Sequence, residues 1–552
     1  MIIKDNGHLH HKELLSRRIE ERIGKSDPGF TVTLGVDETL GGPESYQIGF
    51  TEKNWLITGS DEAGLYYGIG KFLHSARWHD DRFEPKATGR VVSPDCPFRC
   101  IYFAVHFHNW YHEAPLEELE RYLEDMLLYG YNALECIVPI VQITGFDDHV
   151  FLEAIQKDRE IFRLAKNLGM KVLFSSVPNQ AMVTAPHEWD ADISFDFLNV
   201  RRGHLGRLVC PHKPGALEYL KNIWRTSLEQ FKDIGIDGMI AWPYDEGGCG
   251  CEKCRPWGAN GFEWLCSMLS EELRKLYPDA IFIYSTWTFD NVYDQHEYST
   301  LYKKLSDGRM EYVDYLMTDA HEDYPRYVLE HPVVKPIVNF PEISMWKLSP
   351  WGGFGATPLV KRFEAIWDSE KAVISGGMPY SEGLYEDLSK IQFIGYYWDK
   401  NARYRDTLRE YASYEFGFEA AEDAVRLMEL IEKNHVDCAE LKDPDLAAAE
   451  EAASIAERID RTISLKRKQS WRWRILYIRA ILDVKRYRQY VARNMHGEAD
   501  NLILRHDEAE TQLLKDDPEA QALYRELRRI YHCLNRDNGF NKWTLPVVQG
   551  EM

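Results

Sequence analysis

The sequence contains no run of about 18 apolar residues, the length a membrane-crossing helix needs. Its first residues, MIIKDNGHLHHKELL, lack the apolar centre of an export signal. The expectation is a soluble cytoplasmic protein with no membrane partner. Basic clusters are also missing: 66 Lys and Arg stand against 88 Asp and Glu, a formal net charge of -22. Neutralising phosphates requires grouped cations, so nucleic acid is excluded as a main partner. Internal repeats are absent, and the 10 Cys are too unevenly spaced for a disulfide framework, which a chain without an export signal would not keep in any case.

A length of 552 residues points to several domains, and 44% hydrophobic against 28% charged residues is the balance of a folded chain. Aromatic residues reach 13%, including 16 Trp and 31 Tyr. Such rings fill cores and also lie against the C–H faces of sugars; composition does not separate the two uses.

Three regions follow from the patterning. Residues 1–95 form a small α/β unit: TVTLGV, YQIGFT and WLITG alternate as strands, and Ser60-Asp61 caps a helix through DEAGLYYGIGKFLHSA. Gly64 and Gly68 would let that helix approach the sheet closely; the order of glycines is not that of a dinucleotide loop. Over residues 96–400, eight apolar runs alternate with amphipathic helices: CIYFAVHF, YNALECIV, MKVLFSSVP, DGMIAWPY, AIFIYSTWTF, VDYLMTDA, VKPIVNFP and AVISGGMPY. This alternation predicts a (β/α)8 TIM barrel, with a doubly wound open sheet as the alternative. Residues 401–552 lack strand patterns and predict an all-helical domain.

Barrel enzymes carry their chemistry where strands end. Those positions hold His106 and His108 after strand one, Tyr244-Asp245-Glu246 after strand four and Trp287 after strand five. Asp319 follows strand six, Glu342 and Trp346 strand seven, and Tyr380 with Glu382 strand eight. Carboxylates interleaved with aromatics suit glycosidic cleavage: one carboxyl protonates the leaving oxygen, another works on the opposite face, and rings hold the sugar. Glu246 is the candidate general acid, because an apolar strand delivers it and aromatics flank it. Asp245 is either its catalytic partner or a capping carboxylate. His106 and His108 share a strand face and either bind sugar or metal or are bonded within the barrel mouth.

The segment ITGSDEAGLYYGIGKFL followed by a barrel resembles glycoside hydrolase family 20, the β-N-acetylhexosaminidases, and family 67, the α-glucuronidases. In family 20 an adjacent Asp-Glu ends strand four, where Asp245-Glu246 stands here. The resemblance implies that Asp245 orients the substrate's acetamido group as nucleophile and that Glu246 is the acid of a retaining reaction. Pro97-Phe98-Arg99 is similar to a strand-one segment whose arginine binds sugar hydroxyls, which implies that role for Arg99. Two departures stand out: AWPYDE lacks the His-x-Gly-Gly of that family, and Pro178-Asn179-Gln180 replaces its strand-three histidine segment. The family 67 resemblance extends to the helical C-terminal domain. It implies an inverting reaction, with Glu246 as acid and Asp319 or Glu342 activating water.

Cys249, Cys251 and Cys254 form Cys-x-Cys-x-x-Cys, and Cys210 in LVCPHKP is available as a fourth ligand. Four thiolates are the donor set of a closed structural zinc site, whereas a catalytic zinc keeps an open position. The expected protein is therefore an exo-acting glycosidase for a small oligosaccharide or glycoside, with no catalytic cofactor and with either a structural zinc or reduced, metal-free thiols at the cysteine cluster. A homodimer is compatible with the sequence. A non-catalytic carbohydrate-binding protein and a metal-dependent hydrolase or lyase are the competing classes.

Overall fold

The computed structural model describes residues 2–24, 29–52, 54–105, 110–137, 140, 143–193, 207–244, 247–290, 296–320, 324–344, 358–381, 387–434, 445–492 and 514–531. At its centre eight parallel strands close on themselves. They are β1 (Phe98–Phe103), β2 (Ala133–Ile137), β3 (Lys171–Ser176), β4 (Gly238–Ala241), β5 (Ile281–Ser285), β6 (Tyr315–Ala320), β7 (Ile337–Ser344) and β8 (Ile374–Gly377). Each strand pairs with the next. Closure comes from Gly376 and Gly377 of β8 lying beside Phe98 and Arg99 of β1. Helices follow the strands in turn, from α1 (Leu116–Tyr129) after β1 to α8 (Asp387–Trp398) after β8. The expected (β/α)8 barrel is present and the open sheet is not.

Strand geometry turns alternate side chains to opposite sides. In a closed sheet one side is the barrel interior, where Phe98, Cys100, Leu173, Ile240, Ile283, Met317 and Val338 make a separate apolar cluster. The other side meets the helices, as with Asn339 of β7. Its amide donates to Glu370 Oε1 at 2.6 Å and its carbonyl oxygen accepts from Tyr397 Oη at 2.8 Å. Glu370 is fully buried. Burial pushes its carboxyl from 4.5 up to about 8, the Asn339 bond opposing that rise.

The N-terminal region contains a four-stranded sheet, with Thr31–Val36 parallel to Asn54–Gly59 and Tyr46–Thr51 antiparallel to it. Helix Glu62–His74 starts as its sequence indicates: Asp61 Oδ1 accepts from Gly64 N at 2.7 Å. The glycines on that helix are required by close approach. A Cβ at Gly64 would lie 2.2 Å from the Ser45 carbonyl oxygen, and one at Gly68 would lie 2.8 Å from Ile57.

This region meets the foot of the barrel through Arg99, and the expected contact of Arg99 with sugar is corrected here. Arg99 stands at the beginning of β1, the end opposite the strand termini, and is fully buried. Its guanidinium donates to Glu44 Oε2 at 2.6 Å, to the Gly130 carbonyl at 2.7 Å and to the Cys96 carbonyl at 2.9 Å. Asn132 donates to the same Glu44 carboxylate at 3.0 Å, and Tyr67 and Trp398 flank the guanidinium.

Beyond the barrel, helices Tyr404–Phe416, Ala421–Glu432, Leu446–Thr462, Trp471–Ala492 and Pro518–Tyr531 pack in sequence against one another. Arg472 ties them to the barrel. Its guanidinium reaches Asp125 of α1 at 2.7 Å and Asp387 of α8 at 2.6 Å, so it spans the two helices beside the closing β1–β8 pair. No helix among the described residues is long and apolar enough to cross a membrane.

Two stability outcomes follow. Arg99→Met takes the cation from Glu44, leaving it only Asn132, and removes the buried donor to two carbonyls, so chemical denaturation should show a loss of about 3 kcal/mol or more. Glu370 is protonated more readily when folded than when unfolded. Its stabilising contribution is therefore complete below about pH 4.5 and is lost as pH rises through about 8. Glu370→Gln removes that titration. Its thermal midpoint should overtake the parent's by about 3 °C or more between pH 6 and 9, and equal midpoints across that range would refute the assignment.

Candidate active site

Counting alternate residues outward from the barrel's apolar floor locates the mouth. Ala133 faces inward, so Glu135 two residues on does too, as do Ser175 beyond Leu173, Asp319 beyond Met317 and Glu342 beyond Phe340. Trp242 and Trp287, just past the ends of β4 and β5, close over this interior with Tyr102 and Tyr380. With Phe340 their rings form a continuous layer, edge-to-face except for the tilted Phe340–Tyr380 pair. Trp242 lies 5.0 Å from Phe340 and 5.8 Å from Trp287, and Tyr380 lies 5.1 Å from Phe340 and 5.0 Å from Tyr102. Such spacings are those of attractive quadrupole packing. Trp242, Trp287 and Tyr380 keep part of their surface open.

The carboxylates sit on this aromatic layer. Asp319 and Glu342 come from neighbouring parallel strands: Asp319 lies beside Phe340, and Glu342, two residues further, lies beside Tyr380. Asp319 is half-buried and Glu342 is 5% exposed. Glu135, which the sequence did not single out, is fully buried. It accepts a hydrogen bond from Ser175 Oγ, which in turn accepts from Trp242 Nε1 at 3.4 Å. Burial pushes the Glu135 carboxyl well above the ordinary range, against the opposing Ser175 bond, and its Oε2 has no partner among the described residues. Glu135 thus stands directly behind Trp242, joined to it through Ser175 Oγ. The signal for it was present in YNALECIV, where an acid holds an inward position inside an otherwise apolar strand.

Trp287 is aimed by a strained turn. Thr288 and Asp290 have φ of 57° and 61°, values a β-branched threonine seldom adopts. Bonds from Glu297 N to Asp290 Oδ1 (2.7 Å) and from Asp290 N to Glu297 Oε2 (3.1 Å) hold the turn. Glu297 is buried, and burial pushes its carboxyl up to about 7 against bonds from Tyr244, Asp290 and Gly258.

Tyr244 needs a second correction. Past Ala241, the last residue of β4, strand alternation no longer applies, and the Tyr244 ring turns away from the mouth. Its hydroxyl donates to Glu297, it is 1% exposed, and Gly258 N points at the same oxygen from 3.3 Å. Tyr244 is a brace rather than a sugar contact. Asp245, Glu246, His106, His108, Trp346 and Glu382 lie outside the described residues.

The chain on the far side of Asp245-Glu246 is firmly held. A Cβ at Gly247 would lie 2.5 Å from the Pro243 carbonyl oxygen, and Gly248 has φ of 131°, so both glycines serve the turn itself. The Asn179 side chain donates to the Gly248 carbonyl at 2.9 Å and the Val209 carbonyl at 3.2 Å, and accepts from Gly248 N at 3.2 Å. Trp257 Nε1 reaches back to the Pro243 carbonyl at 2.5 Å. Within this frame Cys210, Cys249, Cys251 and Cys254 converge, all four sulfurs lying within 4.8 Å of one another.

No known family pattern and no curated protein sequence matches the chain. Solved structures match it in fold. A GH138 enzyme targeting pectin rhamnogalacturonan II is 11% identical, with 98% of this chain and 74% of that one covered at a TM-score of 0.57. CpGH89 from Clostridium perfringens, solved with its substrate GlcNAc-alpha-1,4-galactose, is 12% identical at a TM-score of 0.60. That match covers 92% of this chain and 66% of CpGH89, so this chain spans just under two thirds of its length. CpGH84B is 13% identical, with 98% and 95% covered, at 0.50. The chain thus resembles glycoside hydrolases in its fold.

Tyr244→Phe should distinguish a brace from a ligand contact. Removing the buried donor to Glu297 is expected to cost about 1–3 kcal/mol of stability. Any ligand retained by the mouth should bind the folded variant within about twofold of the parent, measured by quenching of tryptophan fluorescence. A selective loss of binding with unchanged stability would return Tyr244 to the site.

Proposed function

We propose that this protein is a glycoside hydrolase that removes single sugars from small glycosides, with Glu246 as general acid. The observation that carries the reading is the barrel mouth itself. Asp319 and Glu342 face inward from adjacent strands over a layer of Tyr102, Trp242, Trp287, Phe340 and Tyr380. Sugar rings offer apolar C–H faces to such a layer and hydroxyls to such carboxylates. Glu246 lies in sequence between Tyr244, which Glu297 holds, and Gly248, which Asn179 holds. The fold shared with glycoside hydrolases supports the class without choosing the sugar.

The preferred mechanism is the acetamido-assisted, retaining one that the family 20 resemblance implies. Glu246 protonates the departing oxygen while Asp245 orients the substrate's acetamido oxygen for attack at the anomeric carbon. The attack requires the acetamido group and the leaving oxygen on opposite faces of the ring, so this mechanism applies to β-linked acetamido sugars. A second reading has its own observation: Asp319 and Glu342 share the inward side of the mouth, where either would activate water for an inverting reaction of the α-glucuronidase type. An acid and base about 6.5–9.5 Å apart leave room for that water.

A panel of 4-nitrophenyl glycosides tests both, comprising N-acetyl-β-glucosaminide, N-acetyl-β-galactosaminide, N-acetyl-α-glucosaminide and α-glucuronide. Turnover of a β-linked acetamido sugar and not of the α-linked one is expected, and Glu246→Gln should lower kcat/KM by about 10²–10⁴-fold with ligand binding preserved. Asp245→Asn should cost as much, while Asp319→Asn and Glu342→Gln should weaken KM more than kcat. Activity confined to the glucuronide, with inverted product stereochemistry by proton NMR, would replace the first mechanism by the second. Binding without turnover, unchanged in Glu246→Gln, would make the protein a carbohydrate-binding module.

A further inference from the structure

The sulfurs beside the β4 loop have the geometry of a metal centre. Cys210 Sγ lies 3.7 Å from Cys251 Sγ and 4.0 Å from Cys254 Sγ, and all four sulfurs lie within 4.8 Å of one another. Four thiolates arranged tetrahedrally at a zinc–sulfur length of about 2.3 Å are separated by about 3.8 Å. A disulfide would hold one pair near 2.05 Å and leave no reason for four sulfurs to converge. We propose that Cys210, Cys249, Cys251 and Cys254 bind one Zn²⁺ in a closed four-thiolate site that fastens the β3 and β4 loops together next to Asp245-Glu246.

The local backbone suits that role. Cys254 N and Arg255 N both donate to the Cys251 carbonyl, at 2.9 and 3.1 Å, making the turn that brings Cys251 and Cys254 side by side. A similar turn, Lys213 N to the Cys210 carbonyl at 3.1 Å, follows Cys210. Peptide N–H groups face the sulfurs: His212 onto Cys210, and Cys251 and Asp192 onto Cys249. Donors of this kind stabilise the negative charge that remains on metal-bound thiolates. Three of the four cysteines are buried and Cys251 is half-buried. Among the described residues no histidine or carboxylate joins the group, and four thiolates fill a tetrahedral shell without leaving a position for a substrate. Binding replaces four thiol protons, released to solvent, by one divalent cation.

The consequence is mechanical. Cys210 belongs to the arm that Asn179 and Val209 fasten to the β3 loop, and the other three cysteines follow the β4 loop. One ion therefore joins two chain segments that are otherwise linked through the Asn179 side chain and the bond from Gly250 N to the Asp192 carbonyl. The proposal does not depend on the glycosidase reading, because its test counts metal.

The full-length chain, purified without added metal, should carry about one zinc per molecule by inductively coupled plasma mass spectrometry. Replacement by Co²⁺ should produce the thiolate charge-transfer and d–d absorption of a tetrahedral sulfur site. Cys251→Ser, chosen because it is the most exposed ligand, should lower zinc content at least fivefold and reduce the thermal midpoint. Cys266→Ala, a buried cysteine of the helix Gly261–Leu276, should retain the metal. Less than about 0.1 zinc per chain with four additional thiols reacting with Ellman's reagent would overturn the proposal. So would iron in place of zinc, or a disulfide recovered by mass spectrometry. These results are read on the parent protein and hold even if the serine variant does not fold.

Discussion

Closing eight parallel strands into a ring removes a choice that an open sheet leaves free. Each strand has one side toward the helices and one toward a space too narrow for anything except side chains, so every second residue is committed to that space. Below, the committed residues are Phe98, Leu173, Ile240, Ile283 and Val338, and the space is filled. Further along the same strands they are Glu135, Ser175, Asp319 and Glu342, and filling gives way to chemistry. The mouth is thus a continuation of the core by the same rule, and its polar groups are rigid because the strands beneath them are.

The alternation of apolar runs and amphipathic helices made the barrel legible, since the eight runs are each the length of one strand and nothing else in the chain has that rhythm. Residues further from regular structure were harder to place. Arg99 sits in a segment that reads like a sugar-binding one. Its meaning depends on Glu44, 55 positions earlier, and no local pattern announces a partner at that distance. Tyr244 misled for a related reason: alternation holds to Ala241 and then lapses, so a residue two beyond Trp242 faces Glu297 instead of the interior. Glu135 was legible in principle, because counting from Ala133 puts an acid inside the barrel, but its apolar surroundings made the run look uniform.

The loops after β3 and β4 illustrate how a site can be rigid without regular structure. Asn179 uses both ends of its amide on two backbones, Trp257 returns to the Pro243 carbonyl, Gly247 allows an approach that any side chain would block, and Gly248 supplies the positive φ of the turn. The departure of Pro178-Asn179-Gln180 from a histidine-bearing pattern has its explanation here: the asparagine is spent on holding the neighbouring loop. The Thr288 and Asp290 conformations do a comparable job on the other flank, where strain sets the direction of Trp287.

Arg472 joins Asp125 and Asp387 across the place where the ring meets itself, a seam that two residue pairs stitch directly. Burial would raise the Asp125 carboxyl, yet Arg18 and Arg472 together hold it well below the usual range. The fastening across that seam is thus lent by a part of the chain 85 positions beyond Asp387, outside the ring it holds.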